Sequence, residues 1–477
     1  MNKKIPKNNT LISNSDKSTK SLLIAILSTI ALADFGLGLN TVVLPLYAKS
    51  LGASIITIGL IIASFGLARI LINIPVSILS KKFKMQFMHV GMFLIFLGAI
   101  GYYFSTFYNE LFIFRLLEGF GSGIINTSSM IMLTKHLYQD KKRAKVLSKY
   151  MIARRLSMGI APFIGAAVAF QFHFKSAFLL YAVIMFIGFS ISIYNRKLLK
   201  KIYNNNTDDE STIENKEDID IEVDINDVKN NNINVDKLND KNNINDGNGN
   251  TKKNISTDNS YNTGIASAKH INTETENHDK KIKEYKKEKY INLIANLSFM
   301  LLCFLTFSFF FSRIGSRREL VPLVGISIIH INQFYIGLLV SVSGLIGVAL
   351  TYYSDRVINK LGIKRSIVIS FAISASGMLW FIIFKNLDGF IASIILLSAG
   401  GGFSGPARNL YLMDSVDKNH YEEAIGIYRT LSDLGFILGP VIIGVAFSYY
   451  NYIAAYSVVA AMLIAAAILF GAFAKKY

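Results

Sequence analysis

Long apolar runs separated by short polar stretches dominate the chain. Twelve of them are long enough to cross a bilayer as a helix, which takes about 20 residues. Six fall at 22–47, 54–79, 87–106, 110–133, 148–170 and 174–194, and six more at 291–314, 328–351, 365–384, 388–413, 421–447 and 450–472. Between the two sets, from about Tyr203 to Tyr290, the pattern stops. Tracts such as Asn204-Asn205-Asn206 and Asn230-Asn231-Asn232 replace it, with no hydrophobic period and almost no aromatics. Such a segment cannot bury enough apolar surface to fold alone. The first run is too long, and too well followed by others, to be a cleaved signal peptide. The expectation is an all-α integral membrane protein with twelve transmembrane helices in two six-helix bundles. A cytoplasmic tail at 1–21 precedes the first bundle at 22–194. A disordered Asn/Asp/Lys-rich loop at 195–290, a second bundle at 291–472 and a tail at 473–477 follow.

Composition agrees with that pattern. Of 477 residues, 52% are hydrophobic and only 17% charged, against about a quarter charged in soluble proteins. That excludes an ordinary soluble enzyme. One cysteine excludes a disulfide framework and a cysteine-based zinc site, and His89, His136 and His173 show no metal spacing. No GxxxxGK[ST] loop is present, so nothing suggests ATP as the energy source, and no cofactor is implied.

The net charge of +18 raises the question of a polyanionic partner, and its distribution answers it. Residues 202–289 hold nineteen acids and thirteen bases, a net of −6, which leaves +24 on the apolar part of the chain. Basic clusters alternate with poor loops: Lys81, Lys82 and Lys84 after span 2, Lys141 to Lys149 between spans 4 and 5, Arg196 to Lys201 after span 6, Arg356 to Arg365 between spans 8 and 9. The other loops hold Lys49, Lys175 and Lys385, one each. Basic loops stay cytoplasmic, which is expected to place both termini and the central loop on the cytoplasmic side of a cell membrane. The charge reports orientation, and no nucleic-acid face is expected. The exception is Arg313, Arg317 and Arg318 at the outer end of span 7.

The halves echo each other. Leu44-Pro45-Leu46 matches Val321-Pro322-Leu323; Gly59 and Gly66 match Gly337 and Gly344; the Gly119–Gly123 run matches Gly401–Gly405; Ala161-Pro162 matches Gly439-Pro440. A 6+6 repeat is a transporter signature, with halves that rock around a midplane site. On these residues the chain resembles the major facilitator superfamily. Further likenesses are Asp355-Arg356 with Gly362, Lys364 and Arg365, similar to the family's loop motif, and Arg69 with Asn73 in span 2. Arg115-Leu-Leu-Glu118-Gly119 in span 4 and Arg429 with Asp433 in span 11 resemble the drug:proton antiporter and related branches. In the first-half copy of the loop motif a lysine, Lys81 or Lys82, stands where the family has its aspartate. The run Arg154-Arg155-Leu-Ser-Met-Gly159, with Pro162 and Gly165, resembles a loose form of the family's antiporter motif in span 5. Gly159, Pro162 and Gly165, with Gly435, Gly439 and Pro440, are expected to bring helices close across the interface.

Charges inside the bilayer cost about 2.5–3.5 kcal/mol each on insertion scales, so they need partners or a wet cavity. Asp34 and Glu118 are candidate proton-titrating groups, because a buried carboxylate whose arginine can move away changes its hold on a proton with conformation. Arg115, three residues from Glu118 and on the same face, is the expected partner, and the resemblance also links it to proton coupling. Arg69, Asn73, Arg429 and Asp433 are cavity or charge-partner candidates, with Arg429 and Asp433 expected to pair along one face of span 11. Arg408 is expected to meet Asp414 or a loop acid. Arg313 and Arg317, four apart, either line a cavity and attract an anion or, with Arg318, reach the outer headgroups or pair with Glu319. The plain reading of all these charges is static ion pairing.

The reading these features favour is a secondary active transporter, expected to be a monomer, coupled to protons and exporting amphipathic or drug-like compounds as an antiporter. The alternatives are an uptake permease for a small organic anion read by Arg313 and Arg317, and a non-transporting receptor or scaffold.

Overall fold

The computed structural model describes residues 9–83, 87–137, 143–205, 293–416 and 421–475. In chain order the helices are α1 (Asn9–Ser50), α2 (Ile55–Phe83), α3 (Met88–Phe104), α4 (Tyr108–Leu137), α5 (Arg143–Phe172) and α6 (Phe174–Asn205). Then come α7 (Leu297–Ser327), α8 (Gln333–Tyr352), a short helix (Ser354–Leu361), α9 (Ile363–Ile383), α10 (Leu387–Ser415), α11 (Tyr421–Tyr449) and α12 (Tyr452–Phe473). Ten of these are long and apolar enough to cross a membrane. The other two are α3, which is shorter, and α4, which carries Glu110, Arg115 and Glu118. No strand occurs among the described residues. Most of the expected disordered loop, 206–292, lies outside the described residues.

Local sequence sets the helix starts in the second half. Asn296, Asn332, Asn386 and Asn451 each stand in extended backbone and accept a hydrogen bond from an amide three residues on. Each satisfies one of the free N–H groups of a helix start, a contribution of about 1 kcal/mol. Gly362, with φ of +81°, turns the chain between the short helix and α9, a conformation that favours glycine.

The pairing repeats between halves, as the sequence echoes predict. In the first, α1 packs on α5, α2 on α4 and α3 on α4; in the second, α7 packs on α11, α8 on α10 and α9 on α10. The halves meet along two seams, α2 with α11 and α5 with α8. Outward positions stay apolar: Leu71, Phe186 and Ile468 are all more than half exposed. This suits a surface solvated by lipid tails, where apolar side chains gain nothing by hiding.

The seams are held by backbone contact. A Cβ at Gly59 would stand 2.7 Å from the Pro440 carbonyl oxygen, and one at Gly337 would stand 2.9 Å from that of Pro162. Only a residue without a side chain permits that approach, and the two contacts are counterparts under the internal repeat. The other packing residues behave differently from expectation. Gly165 lies against the Leu39 backbone of α1, while Gly435 and Gly439 lie against Phe307 and Phe311 of α7. They close helix pairs within one half. Only Gly159, near Leu345, joins the prolines in crossing between halves.

Candidate functional site

The interior charges form three ion-paired groups and one unpaired group. Glu118 of α4 anchors the first. Arg115, one turn away and buried with it, donates to Oε2. Tyr102 Oη of α3 donates to the same oxygen at 2.7 Å, and Asn40 Nδ2 of α1 donates to Oε1 at 2.7 Å. Three donors on one carboxyl match its ionised, acceptor-only form. The expected Arg115–Glu118 pair is thus present, locked in a network joining α1, α3 and α4. The Arg115 guanidinium also lies 4.5 Å from the Phe65 ring centroid.

Asp34 of α1 has a separate partner. Arg154 of α5 donates through Nε at 2.5 Å to Oδ2 and through Nη2 at 3.3 Å to Oδ1. Its Nη1 donates to Tyr150 Oη at 3.2 Å. A two-bond pair of this kind is among the stronger interactions available to a carboxylate. Sequence reasoning read Arg154 only as part of a packing motif. The signal that would have found it is an Arg-Arg pair deep in an apolar span, where each charge needs an explanation.

The third group crosses the α2–α11 seam and corrects the expected Arg429–Asp433 pair. Asp433 binds Arg69 of α2, Nη2 to Oδ1 at 3.2 Å, and accepts from Asn73 Nδ2 at 3.4 Å. Thr127 of α4 donates to Asn73 Oδ1 at 3.1 Å. Residues four apart on one helix can pair, but Asp433 is buried toward the other half whereas Arg429 is exposed. The seam sets the partner. Beside it Phe65 and Phe436 stack across the halves at 5.4 Å.

The fourth group is cationic and lies against the α5–α8 seam. Arg154, Arg155, Arg313 and Arg317 line a cavity of about 160 Å³, its remaining wall formed largely by Gly344, Gly347, Gly401 and Gly402. Arg317 Nη2 donates to the Val340 carbonyl at 2.9 Å, and Arg155 donates to the Thr351 hydroxyl. Arg408 of α10 stacks on Phe309 of α7 at 3.9 Å, and Arg313 faces the same ring at 5.6 Å. That corrects the expectation that Arg408 meets Asp414: it points inward and is buried, whereas Asp414 is exposed. The ion pairs among the described residues are Arg69–Asp433, Arg115–Glu118 and Arg154–Asp34. Arg155, Arg313, Arg317 and Arg408 belong to none of them.

Span 7 therefore does not lift its arginines to the headgroups. Arg313 and Arg317 turn into the cavity, while Arg318 is 7% exposed and Glu319 fully buried. The reason is geometric: Ser316–Leu320 forms a π-helical turn inside an otherwise regular helix, which redirects its side chains relative to the α-helical spacing that the sequence implied. The expected Arg–Glu319 pair is absent among the described ion pairs.

The loop-motif residues lie apart from this centre. Asp355, Arg356 and Arg365 are exposed, with Arg356 5.4 Å from the Tyr353 ring. Lys364 Nζ donates at 2.5 Å to the Ala474 carbonyl, tying the start of α9 to the end of α12. The first-half copy, with Lys81 and Lys82, lies in the last turns of α2.

Two six-helix bundles with matching pairings, two seams between them and apolar outer faces form a membrane-embedded fold with an internal repeat. A family model described as Major Facilitator Superfamily matches residues 26–320 and 302–476, and the chain belongs to that family. An uncharacterized MFS-type transporter, MJ1560 of Methanocaldococcus jannaschii, is 27% identical over 169 residues, 34% of this chain and 44% of the relative. The chain therefore matches less than half the length of that protein. Among solved structures, a mutant of the nucleoside transporter NupG aligns with a TM-score of 0.60 at 14% identity, over 95% of this chain and 99% of that one. A POT family transporter in complex with 5-aminolevulinic acid aligns at 0.65 and 13% identity, over 94% of each. At these identities the likeness is one of fold.

Proposed function

We propose that this membrane transporter carries a small anion by alternating access, binding it between the halves in the arginine-lined cavity. The observation that carries the reading is the charge of that cavity: Arg155, Arg313 and Arg317 line it or reach its edge, and none of them is ion-paired among the described residues. Unpaired cations in a low-dielectric interior are costly, and an anion between them supplies the missing partner. The volume suits a small organic molecule, since a cavity of about 150 Å³ admits benzene. Efflux of cationic amphipathic compounds fits less well, because the same field repels them.

The test is substrate counterflow in proteoliposomes loaded with a panel of small carboxylates, phosphate compounds and cationic dyes. Exchange of at least one anion class and none of the dyes is expected. Dye exchange without anion exchange would return the reading to drug-like efflux, and no exchange of any compound would favour a receptor or scaffold.

We also propose the orientation set by the basic loops, with both termini cytoplasmic in a cell membrane. Cys303 is the chain's one cysteine and is buried, so a single added thiol reads cleanly. Ser54→Cys, in the exposed link between α1 and α2, should react with a membrane-impermeant maleimide on intact cells. Labelling only after lysis would reverse the orientation.

A further inference from the structure

We infer that Glu319 is the protein's proton-binding site, a carboxyl held dry at the α2–α11 seam and reached by water only when that seam opens. The inference rests on the transport reading above for what the proton drives, and on geometry alone for where it binds.

Three acids lie in the interior beside Glu319, and all three are engaged: Glu118 by Arg115, Tyr102 and Asn40, Asp34 by Arg154, and Asp433 by Arg69 and Asn73. Glu319 is fully buried, and neither of its carboxyl oxygens has a hydrogen-bond partner among the described residues. Burying an isolated carboxylate is far costlier than burying the neutral acid. A carboxyl with no donor therefore keeps its proton where it sits.

Its seat spans the two halves. A Cβ at Gly59 of α2 would stand 3.0 Å from Glu319 Oε1, and one at Gly444 of α11 would stand 2.7 Å from it. The same Gly59 touches the Pro440 carbonyl that closes the seam. No side chain fits between the carboxyl and these backbones. When α2 parts from α11, as rocking of the halves requires, the carboxyl loses its cover and meets water. The proton then passes to solvent and leaves a hydrated carboxylate; closing the seam demands that a proton return first.

The charged groups on the surrounding helices are turned elsewhere. Arg318, next in the chain, stacks over Phe65 and Phe436 at 5.7 and 5.3 Å. On α2, Arg69 is ten residues from Gly59, and on α11 Asp433 is eleven from Gly444, about 15 Å along each helix, and the two hold each other. On α1, Tyr47 donates to the Ser105 carbonyl and Lys49 to the Ser327 hydroxyl. Tyr456 of α12 and Arg313 of α7 border a recess with Ser316 and Arg317 instead.

The π-turn connects this site to the cavity. Arg317 and Glu319 are two residues apart in Ser316–Leu320, one reaching the anion cavity and the other the α2–α11 seam. Short π-segments occur frequently at functional sites. A shift of this turn when an anion draws on Arg317 is a shift of the Glu319 seat.

Glu319→Gln copies the neutral acid and should fold. Two measurements are made on wild type and this variant. The first is infrared difference spectroscopy of purified protein between low and high pH without substrate, where wild type should show the loss of a carboxylic-acid carbonyl band that the variant lacks. The second is transport in proteoliposomes, where the variant should keep anion counterflow but lose at least tenfold of the accumulation driven by a pH gradient. An unchanged infrared band, or full pH-driven accumulation in the variant, would overturn the assignment. If wild type exchanges no anion, the transport reading fails while the infrared result still decides whether Glu319 is the proton site.

Discussion

Replacing Arg313 and Arg317 together by glutamine will abolish anion binding while leaving the protein folded. Each guanidinium presents charged donors to the cavity, and a hydrogen bond to a charged group contributes about 1.5–3 kcal/mol. A loss of 1.4 kcal/mol is tenfold in affinity, so the double variant should bind at least about 100-fold more weakly by titration calorimetry. The fold should tolerate the change because neither arginine is ion-paired among the described residues, although Arg317 also holds the Val340 carbonyl. Removing two like charges that share a buried space relieves repulsion, so thermal stability in detergent without ligand should stay level or rise. Affinity within twofold of wild type would remove these residues from the binding site.

The largest stability effect is expected at Glu118, where the opposite logic holds. Glu118→Ala removes the acceptor of Arg115, Tyr102 and Asn40 at once. Arg115 is 2% exposed and would remain as an uncompensated buried cation. Breaking a buried pair by deleting one partner costs about 3–5 kcal/mol, a large share of the net stability of most domains. Unfolding of the purified protein in mixed detergent should show that loss for Glu118→Ala and a smaller one for Glu118→Gln, which keeps a carbonyl acceptor. Double replacement of Arg115 and Glu118 by methionine and glutamine should recover much of it, since the unpaired charge is then gone. A Glu118→Ala protein as stable as wild type would show that the network carries no load.

The architecture was readable from run length alone, because a helix in lipid satisfies its own backbone hydrogen bonds and leaves a long apolar stretch as its record. Local charge relations were readable too: Arg115 and Glu118 stand three apart and do meet. Relations between helices were not. Asp433 has Arg429 one turn away in sequence and Arg69 across the seam in space, and only packing decides between them. Arg154 carried a charge that its packing motif hid. For span 7 the sequence left two readings of Arg313 and Arg317, cavity or headgroup, and the structure takes the cavity. The headgroup placement assumed continuous α-helical periodicity, and the π-turn at Ser316–Leu320 breaks it. Arg318 and Glu319 thereby move from an expected headgroup position into the interior.

These placements also separate two tasks that the sequence assigned to one set of residues. The ion pairs of Asp34 and Asp433, and the hydrogen bonds that Glu118 accepts from Tyr102 and Asn40, join helices within and between the halves. Arg155, Arg313 and Arg317 at the cavity belong to none of the ion pairs among the described residues, and Glu319 has no hydrogen-bond partner there; these are the residues with capacity to bind something else.

Counterflow in proteoliposomes tests the central claim most directly, because exchange of labelled for unlabelled substrate needs binding and alternating access but no driving force. The wild-type protein is expected to exchange a small anion and to exclude cationic dyes, and the Arg313→Gln, Arg317→Gln protein to exchange neither. Dye exchange that survives loss of both arginines would contradict an anion site between the halves.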